Sequence, residues 1–329
     1  MPIIREIIFG AARRGASVKE LLRLSGLEES QLKNPELNVP FEQAQDVWRY
    51  AVTLTDDALL GLHIGEDTTP SIVGLTGHLM QASPDLKTAF QQVCSFNQVF
   101  TDMFHYHLTE GKKEIILEYK PATLWKKLYP ESASQAVDQA MSGTLNVFKL
   151  LSGKEIVPLK IELGERQRKY QSEYERVFGT TVKYASENNR LYYTADQLSL
   201  PVLSYDKKLF TIFNNLLALQ KRELKGKNPV TQEVKQLLQE VYQFKAPTLE
   251  AMASQLNLVP RTLQRKLEEE GTSYRALVLS MRNELSKKLL KVSDSKVKTI
   301  AGMLGYSDVS SFRRAFKKWT NKSPKAFKG

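Results

Sequence analysis

Cysteine is almost missing from this chain: Cys94 is the only one among 329 residues. No internal disulfide can form, and a lone thiol agrees with a reducing compartment. Histidine is scarce too, with His63, His78, His105 and His107 making up the whole supply. His105 and His107 share a strand face at i, i+2, but no cysteine or third histidine lies nearby to complete a metal site, so a structural or pocket-lining role is expected of them. Long apolar runs are absent: the longest extend a few residues, far short of the ~18 that a membrane span needs. Met1 to Phe9 is apolar but carries Arg5 and Glu6, and no small-residue cleavage site follows. It reads as the first amphipathic helix of a cytoplasmic protein, not as a secretory leader. The balance of 42% hydrophobic and 25% charged residues is that of a soluble globular protein. It points away from disordered, collagen-like and disulfide-scaffold chains.

What the chain has in excess is positive charge, and the charge is concentrated. The formal net charge is +11, and residues 229–329 hold 19 Lys and Arg against 9 Asp and Glu. The first 228 residues are balanced, 28 against 27. A compact segment of that charge attracts a polyanion, of which nucleic acid is the commonest. At ~150 residues per domain the length fits two domains.

Hydrophobic spacing divides the chain further. Val18 to Leu24, Phe41 to Leu54 and Leu86 to Phe100 carry helical periodicity, with turn signals at Gly26, Asn34-Pro35, Thr69-Pro70 and Ser83-Pro84. Ser83 or Asp85 is placed to cap the third helix. From Phe104 to Tyr119 the period changes to that of a hairpin. Ser132 to Leu151 returns to helix, and Val157 to Leu163 alternates with Leu159, Ile161 and Leu163 on one face. Val182 to Tyr184 and Leu191 to Thr194, around a turn at 187–190, read as a second hairpin. Residues 1–204 are therefore expected to form an α+β domain of helices plus an antiparallel sheet. Residues 205–224 form an apolar-rich helix, whose wide apolar face fits either packing on its own domain or pairing with a partner. Lys225 to Pro229 is the linker candidate, so 205–228 is read as connecting helix and linker, and 229–329 as an all-α domain.

That last domain holds one motif twice. Thr248 caps a short helix through Leu249, Met252, Ala253 and Leu256; Asn257 to Val259 is a turn; Pro260 opens a second helix, where its missing N–H costs nothing. Leu263 and Leu267 face the core, leaving Arg261, Gln264 and Arg265 off that line. In the second copy, Thr299 to Leu304 is the short helix, Gly305 its left-handed end, and Ser307 or Asp308 the next cap. Phe312, Ala315, Phe316 and Trp319 form a stripe, with Ser310, Ser311, Arg313, Arg314 and Lys317 off it. Helix, short turn, helix is the shape that inserts its second helix into a major groove. Arg pairs bidentately with guanine, Gln with adenine, and Ser donates to base or phosphate. Between the copies, Tyr274 to about Lys291 is helical; at 1.5 Å per residue it spans ~27 Å, near the ~34 Å repeat of major grooves on one DNA face.

Ser307-Asp-Val-Ser-Ser-Phe-Arg-Arg-Ala-Phe-Lys-Lys-Trp319 with Ser323-Pro324 resembles the signature of the AraC/XylS regulators. Thr262 to Tyr274 resembles the family's first unit, and Ile300 to Tyr306 its short second-unit helix. The resemblance covers about the last hundred residues and implies a monomeric module placing two recognition helices in consecutive major grooves. It implies Arg261, Gln264 and Arg265 as base readers in the first helix, and Ser310, Ser311, Arg313 and Arg314 in the second. Lys287, Lys288, Lys317, Lys318 and Lys322 are candidates for the DNA backbone. The N-terminal part resembles the sensor-like domain of the ornithine and arginine catabolism regulators, on Phe41-Glu-Gln, Gly61 to Gly65, and Gly74 to Met80 followed by Ser83-Pro-Asp-Leu86. Such a domain is expected to bind a small effector, to dimerise, or both. Helices precede strands here, which argues against the sugar-binding barrel of the arabinose regulator.

No catalytic set emerges, and neither cofactor nor metal is expected. Cys94 lies in an apolar helical pattern without a Pro-Cys-His context, so it reads as a small core residue and not as the nucleophile of an alkyltransferase fused to such a domain. Asp56-Asp57 and Glu66-Asp67 read as loop solvation or caps, and Lys207 and Lys208 as helix flanks. The expected partners are double-stranded DNA, a small-molecule effector and a second copy of the chain, with RNA polymerase a candidate and no membrane. A dimeric DNA-binding protein without an effector is the alternative.

Overall fold

The computed structural model describes all residues except 1, 35–36, 38, 112–113, 165–169, 185–187, 226–228, 241–245, 293–295 and 329. The Asn34-Pro35 turn in part, the hairpin tip at 112–113, the start of the 187–190 turn and the heart of the expected linker lie outside the described residues. The chain forms two compact units. One comprises residues 1–121 and 129–221, the other residues 122–128 and 222–329.

The first unit begins with α1 (Pro2–Arg13), α2 (Val18–Ser25), α3 (Glu29–Leu32), α4 (Phe41–Thr55) and α5 (Leu60–Gly65), then a 3-10 turn at Pro70–Val73 and α6 (Leu75–Gln81). Ser17 caps α2 by accepting from the Glu20 amide, and Gly26 ends it at φ +65°. The helix expected over Leu86 to Phe100 is two: α7 (Leu86–Ser95) and α8 (Asn97–Phe100), broken at Phe96, where φ is −111° and ψ 18°. Asp85 is the cap of α7, accepting from the Thr88 amide at 2.6 Å.

Strands β1 (Phe104–Glu110) and β2 (Ile115–Pro121) form the expected hairpin, with Tyr106 opposite Tyr119. Helix α9 (Thr123–Leu128) follows, and α10 (Pro130–Ser152) runs through the middle of the first unit. Then come β3 (Lys160–Glu162), α11 (Gln171–Phe178), β4 (Val182–Lys183), β5 (Arg190–Tyr193), α12 (Ala195–Leu198) and α13 (Lys207–Lys225). The sheet order is β1-β2-β5-β3-β4. The second expected hairpin does not form. β5 inserts antiparallel between β2 and β3, and β4 pairs parallel to β3. The sheet is thus antiparallel except at that one edge. A two-residue strand carries no alternation by which its partner can be read, so tertiary packing decides. The strand expected over 157–163 shrinks to 160–162: Ile161 and Leu163 are buried, but Leu159 is 49% exposed.

Leu117, Tyr119, Ile161, Leu191 and Tyr193 make the buried inner face of the sheet. Phe148 of α10 lies tilted against Tyr193, the rings 5.8 Å apart, and Phe90 of α7 meets Tyr119 edge-on at 6.0 Å. The outer face is polar, with Arg190 paired to Glu118 at 2.7 Å and the Tyr192 hydroxyl donating to Glu162. Gly61 lets α5 lie directly on α10: a β-carbon there would collide with the Gln135 carbonyl. This gives a packing reason for the Gly61 to Gly65 motif. Helix α13 packs on α6 and on the α7–α8 corner, not on the sheet. Phe210, Phe213 and Leu217 meet Leu75, Leu79, Phe96 and Val99.

The second unit contains α14 (Pro229–Glu240), α15 (Leu249–Gln255), α16 (Pro260–Glu269), α17 (Tyr274–Val292), α18 (Val297–Met303), α19 (Val309–Thr320) and α20 (Pro324–Lys328). It is helical throughout its described elements and holds two apolar clusters. No helix among the described residues is long and apolar enough to cross a membrane.

Candidate nucleic-acid interface

Both expected helix-turn-helix units are present. In the first, the Thr248 hydroxyl accepts from the Ala251 amide at 3.3 Å and starts α15. Asn257, at φ +53°, turns the chain, and Pro260 opens α16. Met252, Ala253, Leu263 and Leu267 are buried with Val234 and Leu238 of α14 and Leu277 and Val278 of α17. The Glu270 carboxylate accepts from the Val230 and Thr231 amides at 2.9 and 2.7 Å, so the end of α16 caps the start of α14. Arg261, Gln264 and Arg265 project from α16 into solvent. Arg265 is held in an exposed pair with Glu269 at 2.9 Å.

In the second unit, Gly305 ends the short helix α18 at φ +74°, a left-handed turn that any side chain would strain. Asp308 is the cap of α19. It accepts from the Ser311 amide and hydroxyl, each at 2.7 Å. The amide bond, seconded by the hydroxyl, holds the Asp308 carboxyl below the usual carboxylate range. Phe312 and Phe316 are fully buried, while Ser310, Arg313, Arg314 and Lys317 are exposed. Ser311 differs from these: it is half-buried, and besides serving Asp308 it accepts from Arg314 at 3.1 Å. The two short turns therefore present separate exposed groups, three side chains on α16 and four on α19, plus Ser311 at the root of α19.

One helix fixes these groups relative to each other. Leu277 and Val278 of α17 are buried in the first cluster; Leu285, Leu289 and Leu290 are buried in the second; Met281 packs against both. Arg282, one position on, lies 5.1 Å over the Tyr306 ring and ties α17 to the second turn. Nothing local in the sequence distinguishes Arg282, a stacked arginine, from a solvated one. Val259, at the start of α16, is 63% exposed. Among the backbone candidates, Lys317, Lys318 and Lys322 are exposed, and Lys287 and Lys288 half-buried.

The other residues singled out by sequence take different places. His63 sits between two carboxylates, Nδ1 2.6 Å from Asp57 and Nε2 2.9 Å from Glu173. With an acceptor on both ring nitrogens, both must donate, which is the charged form. The Asp57 bond outweighs partial burial and holds His63 above its usual value. Asp57 also accepts from the Leu59 amide at 2.9 Å, the capping role expected of it, whereas Glu66 pairs with Arg176 at 2.8 Å and Asp67 with Arg14 at 3.1 Å. Arg14 also donates to the His63 carbonyl. Half-buried Cys94 has its thiol pushed up to about 12 by burial, so it carries no thiolate at neutral pH. Among the described residues no group of three His, Cys, Asp or Glu is placed to hold a metal ion.

Comparison with known proteins agrees with this arrangement. A family model described as the arabinose-binding domain of AraC transcription regulator, N-terminal, matches residues 15–202. A helix-turn-helix domain model matches residues 252–329. The ornithine utilization regulator of Pseudomonas aeruginosa is 23% identical over 321 residues, 96% of this chain and 92% of its own. The transcriptional regulator VqsM of the same species is 30% identical over 163 residues, 47% of this chain and 48% of its own. The crystal structure of the transcriptional regulator CdpR, also from Pseudomonas aeruginosa, covers 94% of this chain and 96% of its own at 23% identity, with a TM-score of 0.48. The first family is named for arabinose binding, whereas in this chain helices precede strands.

Proposed function

This chain belongs to the AraC family of transcription regulators, and we propose that it reads a bipartite DNA element with α16 and α19 under the control of a small effector held by the first unit. The observation that carries the reading is the sharing of α17 by both apolar clusters. Two exposed basic helix faces on one packed body suit two adjacent major grooves, not two independent sites. Arg261, Gln264 and Arg265 are proposed to read one half-element, and Ser310, Arg313 and Arg314 the other. Ser311 orients the start of α19, and Lys317 serves base or backbone. Contact with RNA polymerase would fit such a regulator.

The pairing partner is proposed to be a second copy, joined through α13. While Phe210, Phe213 and Leu217 face inward, Leu209, Ile212, Leu216 and Leu219 are exposed on α13. They repeat at intervals of three, four and three residues, the seam spacing of paired helices. Regulation, not catalysis, is the reading for the whole chain.

The test is a selection of random duplexes on the full-length protein, followed by affinity measurements on the motif recovered. Two half-elements about one helical turn apart are expected. Arg314→Ala should lower affinity by about 1–3 kcal/mol and relax preference within one half-element. Enrichment of no motif would reduce the protein to charge-driven binding and sink the proposal.

A further inference from the structure

Helix α9 belongs to the second unit, although its neighbours in sequence, β2 and α10, belong to the first. Leu124 and Leu128 of α9 pack against the second apolar cluster, formed by Leu285, Leu289 and Leu290 of α17, Ile300, Ala301 and Leu304 of α18, and Phe312 and Phe316 of α19. The spacing i, i+4 puts both leucines on one side of the short helix. Trp125 is buried, while Lys126 and Lys127 are exposed. α9 also runs beside α14, but its two leucines enter only the second cluster.

The tethers on either side of α9 are minimal. Ala122 alone separates it from β2, and Tyr129 alone separates it from α10. β2 pairs with strands on both sides, and α10 packs across the same sheet. Any rearrangement of β2 against α10 would therefore reach α9 through one residue of chain. From α9 it reaches the seats of Phe312 and Phe316, and these fix the orientation of the helix that carries Ser310, Arg313 and Arg314.

We propose that Leu124 and Leu128 are positioning residues for DNA reading by α19, acting through the second cluster without touching DNA. The proposal rests on the two-helix reading above and adds an asymmetry to it: the sensor's own chain braces the second reader and not the first. Control would then fall on one half-element, with the other serving as a constant anchor.

The experiment compares full-length wild type with Leu124→Ser/Leu128→Ser and with the conservative Leu124→Met/Leu128→Met. Hydrogen exchange is followed in α18 and α19 without DNA. Affinity is measured on the recovered duplex and on versions with either half-element scrambled, the α19 half being the one that Arg314→Ala no longer discriminates. The serine variant should exchange faster in α18 and α19 and lose about tenfold in affinity on the intact duplex. It should lose nothing further where the α19 half is already scrambled, and the methionine variant should restore both readouts. Equal losses on both half-elements, or unchanged exchange in α18 and α19, would overturn the proposal. If the serine variant does not fold, Leu124→Ala is read by the same two criteria. A selection that yields no motif would defeat the DNA reading itself, and the exchange measurement would still decide whether α9 braces the cluster.

Discussion

Replacing Leu216 by glutamate puts a carboxylate in the middle of the exposed stripe on α13. Leu209 and Leu216 are each 44% exposed, Ile212 52% and Leu219 53%. Full burial of such a side chain is worth about 1.5–3 kcal/mol, so covering the exposed half yields about 1 kcal/mol apiece. Association through these four residues from each copy is followed over a dilution series. Leu216→Glu removes two shares, about 2 kcal/mol, and adds a repulsion between carboxylates. At about 1.4 kcal/mol per tenfold, the dimer dissociation constant should rise at least about thirtyfold. Sedimentation velocity over a dilution series reads this directly. The melting temperature should change little, because Leu216 is 44% exposed and lies outside the inward-packed set of Phe210, Phe213 and Leu217. Thr211→Glu, on an exposed flank about 120° from the seam at 100° per residue, serves as the control and should leave association unchanged. A wild type that stays monomeric at every concentration, or a Leu216→Glu variant that associates like wild type, would refute the seam.

Glu269→Gln frees Arg265 from its exposed partner. Such i, i+4 pairs are worth about 0.3–0.5 kcal/mol, so affinity for the recovered duplex should rise about twofold in fluorescence anisotropy, and a fall would count against Arg265 as a reader. His63 supplies a pH signature. Its pKa is raised in the folded chain, so its contribution is complete below the unfolded value near 6.5 and fades as pH rises through the folded value. Asp57 and Glu173 are lowered, by the His63 bond against burial and by Arg176 respectively, so their contributions fade only in acid. On titration from neutral to alkaline pH, wild type should therefore lose its thermal-stability advantage over His63→Gln; a constant difference between the two would refute the charged clamp.

The DNA-binding unit is readable because its signals are local. Pro260, Gly305 and Asp308 punctuate helices by backbone chemistry, and Phe312 with Phe316 marks a buried stripe within a single turn. The first unit was readable in its long helices and its hairpin, but not in its pairings. β4 is too short to carry a pattern, and whether it joins β3 or β5 depends on the rest of the sheet. The Leu124 and Leu128 spacing announces an apolar helix side without saying which body covers it. The stripe on α13 was visible as one broad face; only packing separates the inward Phe210, Phe213 and Leu217 from the outward leucines. By position alone Ser311 reads as one of the exposed side chains of α19; its hydrogen bonds to Asp308 depend on the conformation of the turn.

A helix seated in both apolar clusters makes the second unit a ruler as well as a reader. Because α17 contributes Leu277 and Val278 to one cluster and Leu285 and Leu289 to the other, the interval between α16 and α19 is set by covalent chain and buried side chains, not by a hinge. Each additional base pair between half-elements rotates one of them by about a tenth of a turn and carries it ~3.4 Å farther along the axis. On the proposed two-groove reading, a body packed in this way resists that shift. Its targets would then drift by substitution, one letter at a time, whereas a single inserted or deleted pair would put the two halves out of phase.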